Sequence, residues 1–348
     1  DVDAYYTEKA RKLRRDYRPQ LPPEKWWCNA GVLCNIPSPL VWGDAFLAVY
    51  RHMLDATCAA HTVVSTEFFL NKRDHPVLKK NGTYPFDHMW GEDGPPALPE
   101  QFKPPWAPVM SPYCGDAFAD VLVPNPADWE RVTGCTFASG IGHCPPVPAD
   151  ISQIEWDKKA PKAVFRGSCT GGGTTAATNQ RIALANMRSE TLDVGITRYS
   201  SRDKKVQGDG MRFDRVSDLP PTVPYMSYEE QASCAYVICV DGHSAPNRVG
   251  ALAMMGSVIL RVSSLSSTCG HRTWMDIHMQ PHQHFVPVAS DLSDLMERVL
   301  WLRSHTAEAR AIASRAHSAA VAALSAPTIT SYMVSALRAS CKQLTHLK

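Results

Sequence analysis

The sequence contains no long apolar run, no paired-cysteine motif and no marked excess of charge of either sign. No stretch approaches the 18 or so consecutive apolar residues of a transmembrane helix, so the sequence predicts no membrane segment. The 36 lysines and arginines are balanced by 34 aspartates and glutamates, which argues against a nucleic-acid-binding surface. The eleven cysteines include no C-x-x-C pair, which argues against a zinc ribbon or a thioredoxin-like redox site.

Two common nucleotide-binding signatures are also absent, since the glycines match neither Walker A nor G-x-G-x-x-G. The chain nevertheless has a glycine-rich stretch at Val164 to Arg188, which predicts a short strand, a Gly/Thr loop and a helix. This order turns the open amide end of a helix toward the edge of a sheet, with Arg166 and Arg181 nearby. By pattern alone, a phosphate-binding loop and an ordinary turn are equally well supported.

The length of 348 residues favours two domains, followed by a terminal helix that packs back on the first domain. We place the domains at residues 1–150 and 151–325, and the helix at 326–348. The chain is soluble as given and begins without methionine. The compartment therefore stays open between the cytoplasm and, if a leader has been removed, the lumen of the secretory pathway.

Strands and helices alternate after residue 150, which predicts an α/β fold with a doubly wound parallel sheet. The earlier half predicts a charged helical arm over residues 1–25, strands at Thr62–Asn71 and Ala119–Val123, and a proline-rich surface excursion over 92–112. The later half predicts strands at Ala163–Gly167, Ala235–Val240 and Ser257–Val262, and helices at Asn179–Met187, Asn247–Met255 and Asp291–Arg303, the last behind a Ser290/Asp291 cap.

Polar residues cluster directly after three predicted strands. These residues are Asp74, the Arg166 to Gly173 loop and the Asp241 to Arg248 loop. Ligands of such sheets bind beyond the carboxyl ends of the strands, so we expect one cleft to collect all three. There Arg248 is either a diphosphate ligand or an ordinary first-turn arginine, and Asp74 is either a general base or an exposed loop carboxylate.

Three histidines lie close together in the sequence at His278, His282 and His284. Imidazoles at such spacing often bind zinc. However, Pro281 and the strand-like run after His284 fit a turn into a strand, and no carboxylate or cysteine completes a known ligand spacing. The sequence therefore favours no metal at this cluster.

Four ordered blocks resemble glycosyltransferase family 90, which includes the Rumi-type protein O-glucosyltransferases and the capsule xylosyltransferases. The blocks are Phe69 to Pro76, Phe165 to Ser168, Asp241 to Arg248 with Gly256-Ser257-Val258 after it, and His284 to Val288 leading to Leu295. The resemblance spans residues 62 to 324. It implies a GT-B architecture, in which two Rossmann-like domains face each other across a cleft.

The resemblance also implies inverting, metal-independent transfer of a sugar from a UDP-sugar to a hydroxyl of a glycan or glycoprotein acceptor, without a cofactor. Asp74 matches the family's catalytic base, and Arg248 matches the arginine that holds the pyrophosphate. The other donor contacts that it implies are Ser111, Asp116, Arg166, Gly167, Ser168, Thr170, Asp241, Gly242, Ser244 and Asn247.

The donor sugar stays open between xylose and glucose, with xylose slightly favoured by the segment that follows Asn71. Two other functions also stay open. One is a catalytically idle module that binds a sugar nucleotide or a glycan, although it would not need the strand-end carboxylate of Asp74. The other is a metal hydrolase that uses the histidine cluster.

Overall fold

The computed structural model shows a mixed α/β fold and describes part of the chain. The described residues are 27–29, 32–34, 44–71, 74–83, 97–98, 103–135, 154–199, 219–265 and 270–345. The predicted arm over residues 1–25 lies outside them for its whole length, as does the predicted domain boundary at residue 150. The strands β1 (Trp27–Asn29) and β2 (Val32–Cys34) pair antiparallel.

A small parallel sheet has the order β3-β4-β5, with β3 at Phe69–Leu70, β4 at Val109–Ser111 and β5 at Val121–Leu122. The predicted strand at Thr62–Asn71 is too long, because only its last residues pair with β4. The central strand β4 is buried, although the sequence predicts a surface excursion there. That prediction is wrong for β4, since the prolines flank this strand rather than interrupt it.

A larger sheet of five parallel strands follows. It has the order β7-β6-β8-β9-β10. The strands are β6 (Ala160–Cys169), β7 (Leu192–Tyr199), β8 (Cys234–Cys239), β9 (Val258–Val262) and β10 (Phe285–Val288). The chain passes from β6 to β7 on one side and then returns to β8 on the other side, which creates a topological switch point between β6 and β8. These parallel sheets confirm the predicted α/β class.

Eight α-helices occur in the described part of the chain. They are α1 (Asp44–Ala60), α2 (Pro126–Thr133), α3 (Gln180–Asn186), α4 (Tyr228–Ala232), α5 (Val249–Met254), α6 (Leu295–Ser304), α7 (Thr306–Ala323) and α8 (Ala326–Thr345). The predicted cap of α6 is wrong. The Asp291 carboxylate accepts hydrogen bonds from the main chain and hydroxyl of Ser293 in a turn, and the helix begins at Leu295.

The two sheets share a hydrophobic core. Its largest cluster joins Met110 and Trp129 from the earlier half to Val164 and Val237 from the large sheet. The final helix α8 packs on the small sheet, where the Tyr332 hydroxyl donates to a main-chain oxygen of β5 at 3.2 Å. Continuous packing therefore joins the small sheet, the large sheet and helix α8.

A buried lysine fastens the start of β6. The Lys159 ammonium donates to the main-chain oxygens of Ala232 and Met255 and to the Ser257 hydroxyl. These oxygens lie at or beside the ends of α4 and α5, so one cation joins two helix ends to the sheet. Burial lowers the pKa of Lys159 to about 8.

In the described chain, no single helix is both long and apolar enough to cross a membrane. The helices over 306–323 and 326–343 satisfy that test only as a pair, with a bend of 69° between them.

Candidate active site

The Gly/Thr loop after β6 is organised by Asn179. The side-chain oxygen of Asn179 accepts hydrogen bonds from the amides of Arg181 and Ile182, and its nitrogen donates to the main-chain oxygens of Thr170 and Gly173. The first amides of α3 are therefore already capped. Of the two interpretations that the pattern left open, this capping favours an ordinary turn at the Arg181 and Ile182 amides.

The loop after β8 lies against the Gly/Thr loop. A Cβ atom at Gly242 would stand 2.5 Å from the Thr170 hydroxyl oxygen and 3.1 Å from the Arg181 guanidinium, so only glycine allows this approach. The buried Asp241 carboxylate accepts a hydrogen bond from Ser264 at 2.5 Å and lies 3.5 Å from Arg261. A small cleft between the loops is lined by Thr170, Gly171, Gly172, Thr178, Asn179, Gln180, Asp241, Gly242 and Leu265.

The guanidinium group of Arg248 lies at this switch point, and only part of its hydrogen-bonding capacity is used. Its Nη1 group donates to the main-chain oxygen of Arg166 at 2.6 Å, and its guanidinium carbon lies 4.8 Å from the centre of the Phe165 ring. Its Nε and Nη2 groups are buried and have no hydrogen-bond partner among the described residues. Burial lowers the pKa of Arg248, which marks the cost of holding this charge out of water.

Three further arginines surround Arg248, with different partners. Arg166 is paired with the Asp193 carboxylate at 2.5 Å. Arg181 is buried and donates to the main-chain oxygens of Asp241, Ser168 and Val240 at 2.8, 2.7 and 3.2 Å. Burial, followed by the charge of Arg248, lowers the pKa of Arg181 to about 9, so this guanidinium stays charged at neutral pH.

Arg261 is the fourth arginine, and it is bound by carboxylates. Its Nη2 lies 3.5 Å from Asp241 and 3.7 Å from Asp276, and its Nη1 donates to the Cys239 sulfur at 3.0 Å. Burial lowers the pKa of Arg261, but Cys239, Asp276 and Asp241 outweigh burial and hold it above its usual value. Arg248 and Arg261 therefore differ, because among the described residues Arg248 has no carboxylate partner whereas Arg261 has two.

The turn that carries Asp74 reaches the same region through His271. The imidazole of His75, next to Asp74, lies with its ring centre 6.0 Å from that of His271. The Nδ1 atom of His271 lies 2.9 Å from the Ser244 hydroxyl in the loop after β8. The segment of His271 is fixed in turn by paired main-chain hydrogen bonds between Arg272 and Cys114. His271 thus links the Asp74 turn to the Asp241 to Arg248 loop, and the single cleft that collects both stays a prediction.

Several other predicted site residues have defined positions. The Ser168 hydroxyl accepts a hydrogen bond from Arg198 at 2.9 Å, and Asn247 is exposed at the start of the turn into α5. Asp116 is exposed and pairs with Arg272 at 2.6 Å. Ser111 is fully buried, and its hydroxyl donates to Asp120. Contacts of Ser111 and Asp116 with a donor stay predictions.

The histidine cluster is not assembled. Within the described residues, no three histidine, cysteine, aspartate or glutamate side chains are arranged to hold a metal ion. His278 packs edge-on against Trp274, with ring centres 5.2 Å apart, and His284 accepts a hydrogen bond from the Gln280 amide at 2.9 Å. These contacts fit the turn into β10 that the flanking residues predict.

Sequence reasoning missed three residues of the site. Arg261 lies within strand β9, where its apolar neighbours draw attention to the core. Asn179 could have been found as a helix cap, since asparagine before a helix commonly caps it. His271 carries no local signal, because it reaches the site from a loop between β9 and β10.

A separate surface groove lies along α8, and its lining residues Pro327, Thr328, Ser331, Tyr332 and Ser335 include no charged side chain. We place the candidate site at the loops after β6 and β8, because the guanidinium groups of Arg181 and Arg248 lie beside these loops and His271 links them to the Asp74 turn.

Comparison with known proteins identifies a family and several relatives. The model of glycosyl transferase family 90 matches residues 59–347. Protein 027R of Frog virus 3 (isolate Goorha) is 34% identical over 316 residues, which cover 84% of this chain and 32% of that protein. Protein 179R of Invertebrate iridescent virus 6 is 30% identical over 346 residues, covering 88% of this chain and 29% of its own length.

Animal proteins match at lower identity. Protein O-glucosyltransferase 2 of Danio rerio is 26% identical over 256 residues, which cover 71% of this chain and 41% of that protein. The chain thus spans about a third of the length of the viral relatives and about two fifths of the fish protein. The family match covers most of the chain and includes both loops and the Asp74 turn, so the chain belongs to glycosyl transferase family 90.

Proposed function

We propose that the chain is an inverting glycosyltransferase that moves xylose or glucose from a UDP-sugar to a hydroxyl of a glycan or protein acceptor. The observation that carries this proposal is Arg248, whose Nε and Nη2 groups are buried without a partner in the described chain. An uncompensated buried cation is costly, so such a group favours an anionic ligand. Family membership and the matched O-glucosyltransferases support sugar transfer.

The proposed architecture is GT-B, with the small and large sheets as the two Rossmann-like units. Both sheets are parallel, and the large sheet has the doubly wound order whose ligands bind at the switch point. The contact of His271 with both His75 and Ser244 supports a cleft between the units.

On the donor side, arginines neutralise the diphosphate. Helices α3 and α5 have only seven and six residues, so we assign this task to side chains rather than to helix dipoles. Arg248 binds the pyrophosphate directly, and Arg181 adds positive charge behind it. Arg166, whose charge is balanced by Asp193, is a further proposed donor contact. The remaining proposed donor contacts are Gly167, Ser168, Thr170, Asp241, Gly242, Ser244 and Asn247.

On the acceptor side, Asp74 is the general base. Its carboxylate takes the proton of the acceptor hydroxyl while that oxygen attacks the anomeric carbon from the face opposite UDP. A new carbon–oxygen bond forms as the bond to the β-phosphate oxygen breaks, and UDP leaves with the electron pair. One displacement inverts the anomeric configuration.

The donor sugar needs a direct test. The sequence slightly favours xylose, whereas the names of the animal relatives favour glucose. The sugars differ by one hydroxymethyl group, a difference that pocket shape decides.

A donor screen in EDTA tests the proposal. Purified protein is mixed with UDP, UDP-xylose, UDP-glucose and ADP-glucose, and thermal stability, sugar release and transfer to an acceptor panel are measured. Ligand at 100 times its Kd should stabilise the protein by about 2.7 kcal/mol. Stabilisation by UDP without turnover of either donor would indicate a binding module. Activity lost in EDTA and restored by zinc would refute metal-independent transfer.

A further inference from the structure

A buried pair of polar side chains, Asp120 and Ser111, lies behind the turn that carries Asp74. Asp120 is 7% exposed and Ser111 is fully buried. The Ser111 hydroxyl donates to one Asp120 oxygen at 2.6 Å. Burial raises the pKa of the Asp120 carboxyl, so such a group needs hydrogen-bond donors around it.

The hydrogen-bond donors around Asp120 and Ser111 come from residues on both sides of Asp74 in the sequence. On the later side, the two Asp120 oxygens accept hydrogen bonds from the amides of Val77 and Leu78, at 2.8 and 2.7 Å. On the earlier side, the side-chain nitrogen of Asn71 donates to the Ser111 hydroxyl at 3.0 Å. The same nitrogen donates to the main-chain oxygen of His75 at 2.6 Å, which closes the turn.

We propose that Asp120 is a positioning residue, which holds the Asp74 turn directly through its two amide contacts and indirectly through Ser111 and Asn71. The inference rests on the proposed function, in which Asp74 is the base. It also gives the buried Ser111 a structural role that needs no contact with the UDP-sugar. Asp120 itself touches neither substrate nor reacting atoms.

Only a carboxylate meets this requirement. Each of its oxygens accepts a hydrogen bond from a different main-chain amide, and one also accepts from Ser111. In Asp120→Asn, one oxygen becomes an NH₂ group that faces an amide donor. A buried donor is then left without an acceptor, and the turn must move.

A small movement of this turn should affect catalysis more than donor binding. Misplacement of a catalytic group by about 1 Å lowers a rate by about 100-fold. The arginines proposed to bind UDP lie beyond residue 160, on strand β6, on helix α3 and directly before helix α5. We therefore expect Asp120→Asn to lower kcat for transfer by about 10-fold to 100-fold while the Kd for UDP changes by less than twofold.

Asp128→Asn is the matched control. Asp128 is a second buried carboxylate, 1% exposed, whose oxygens accept from Arg131 at 2.7 Å and Trp274 at 2.8 Å. It lies on α2 and makes no hydrogen bond to the Asp74 turn within the described residues. We expect Asp128→Asn to lower the melting temperature at least as much as Asp120→Asn, with kcat per folded molecule unchanged.

The experiment combines hydrogen exchange of the full chain with steady-state kinetics. We expect faster exchange of the Val77 and Leu78 amides in Asp120→Asn but not in Asp128→Asn. Ser111→Ala is a milder variant that keeps both amide contacts of Asp120, and it should show a smaller kcat loss.

Two results would overturn the inference. One is unchanged exchange at Val77 and Leu78 in Asp120→Asn, which needs no assay of activity. The other is faster exchange with normal kcat. If the wild-type chain transfers no sugar, the proposed function fails, whereas the exchange result still decides whether Asp120 holds the turn.

Discussion

Replacement of Arg248 by methionine should weaken UDP binding strongly without unfolding the protein. Methionine keeps a flexible apolar side chain against the Phe165 ring, which the guanidinium carbon now approaches to 4.8 Å. It removes the two buried N–H groups that we assign to the diphosphate.

The expected loss of affinity follows from those two groups. A hydrogen bond to a charged group contributes about 1.5–3 kcal/mol, and two bonds to one ligand do not add fully. A combined loss of about 3 kcal/mol weakens UDP binding by about 150-fold.

The free protein should tolerate the change. The variant loses the 2.6 Å hydrogen bond to Arg166 and the contact with the ring, but it no longer buries a cation that lacks a carboxylate partner. The desolvation of such a charge costs several kcal/mol, so the terms nearly cancel. We expect the free energy of unfolding to change by less than about 2 kcal/mol.

Arg261→Met is the matched control, with the opposite expectation. Arg261 lies between the carboxylates of Asp241 and Asp276, and its removal leaves both without this partner. Breaking a buried pair costs about 3–5 kcal/mol. Calorimetric titration with UDP and urea unfolding of both variants separate the two roles. Unchanged UDP affinity in Arg248→Met, or unfolding as severe as in Arg261→Met, would refute the reasoning.

Three further variants test other parts of the structure. Asp74→Asn should lower transfer by about 100-fold or more with UDP affinity nearly unchanged, as kinetics and calorimetry would show; normal transfer would reject Asp74 as the base. Gly242→Ala should destabilise the protein by about 1–3 kcal/mol in urea, because the added Cβ meets the Thr170 oxygen at 2.5 Å, and Thr170→Ala in the same chain should recover much of the loss. The pKa of Lys159 is about 8 in the folded chain, against 10.5 for an unperturbed lysine. As the pH rises, the folded chain therefore loses the ammonium proton before the unfolded chain does, and the free energy of unfolding increases between these two pKa values. The stability of wild type relative to Lys159→Met should therefore increase by about 1.4 kcal/mol from pH 7 to pH 9, and a flat difference would contradict the buried charge.

The sequence predicts the large sheet better than the small one. Strands β8 and β9 are continuous apolar runs, as buried parallel strands usually are, so their bounds are predicted to within a residue. Strand β7 was missed because Asp193, Gly195 and Arg198 interrupt its apolar pattern. Strand β4 was missed because it is only three residues long and prolines flank it on both sides.

The candidate site was predictable where residues directly follow strands. Asp74 and the two loops after β6 and β8 do so, and the parallel arrangement brings the loops to one edge. His271 and Asp120 act through contacts between segments that are distant in sequence, and no local pattern indicates such contacts. The capped amides of α3 show the reverse case, in which the local pattern predicts the loop and the helix but does not decide whether the first amides bind a ligand.

The partners of the four arginines explain why a diphosphate suits this site. Arg166 is neutralised by Asp193, and Arg261 is neutralised by Asp241 and Asp276. Within the described residues, Arg181 and Arg248 have only main-chain oxygens as hydrogen-bond partners. Four guanidinium charges face three carboxylate charges, which leaves one net positive charge. Arg181 and Arg248 are the two cations without a carboxylate as hydrogen-bond partner, and this excess of positive charge suits the anionic diphosphate of a UDP-sugar.

This match also bears on catalysis. When the bond to the sugar breaks, the leaving diphosphate gains a further negative charge on its β-phosphate oxygen. A buried guanidinium stabilises that new charge more strongly than an exposed one, because water screens it less. The same burial lowers the pKa of Arg248 in the free chain. Burial therefore explains both the cost of holding this cation out of water and its proposed stabilisation of the departing UDP.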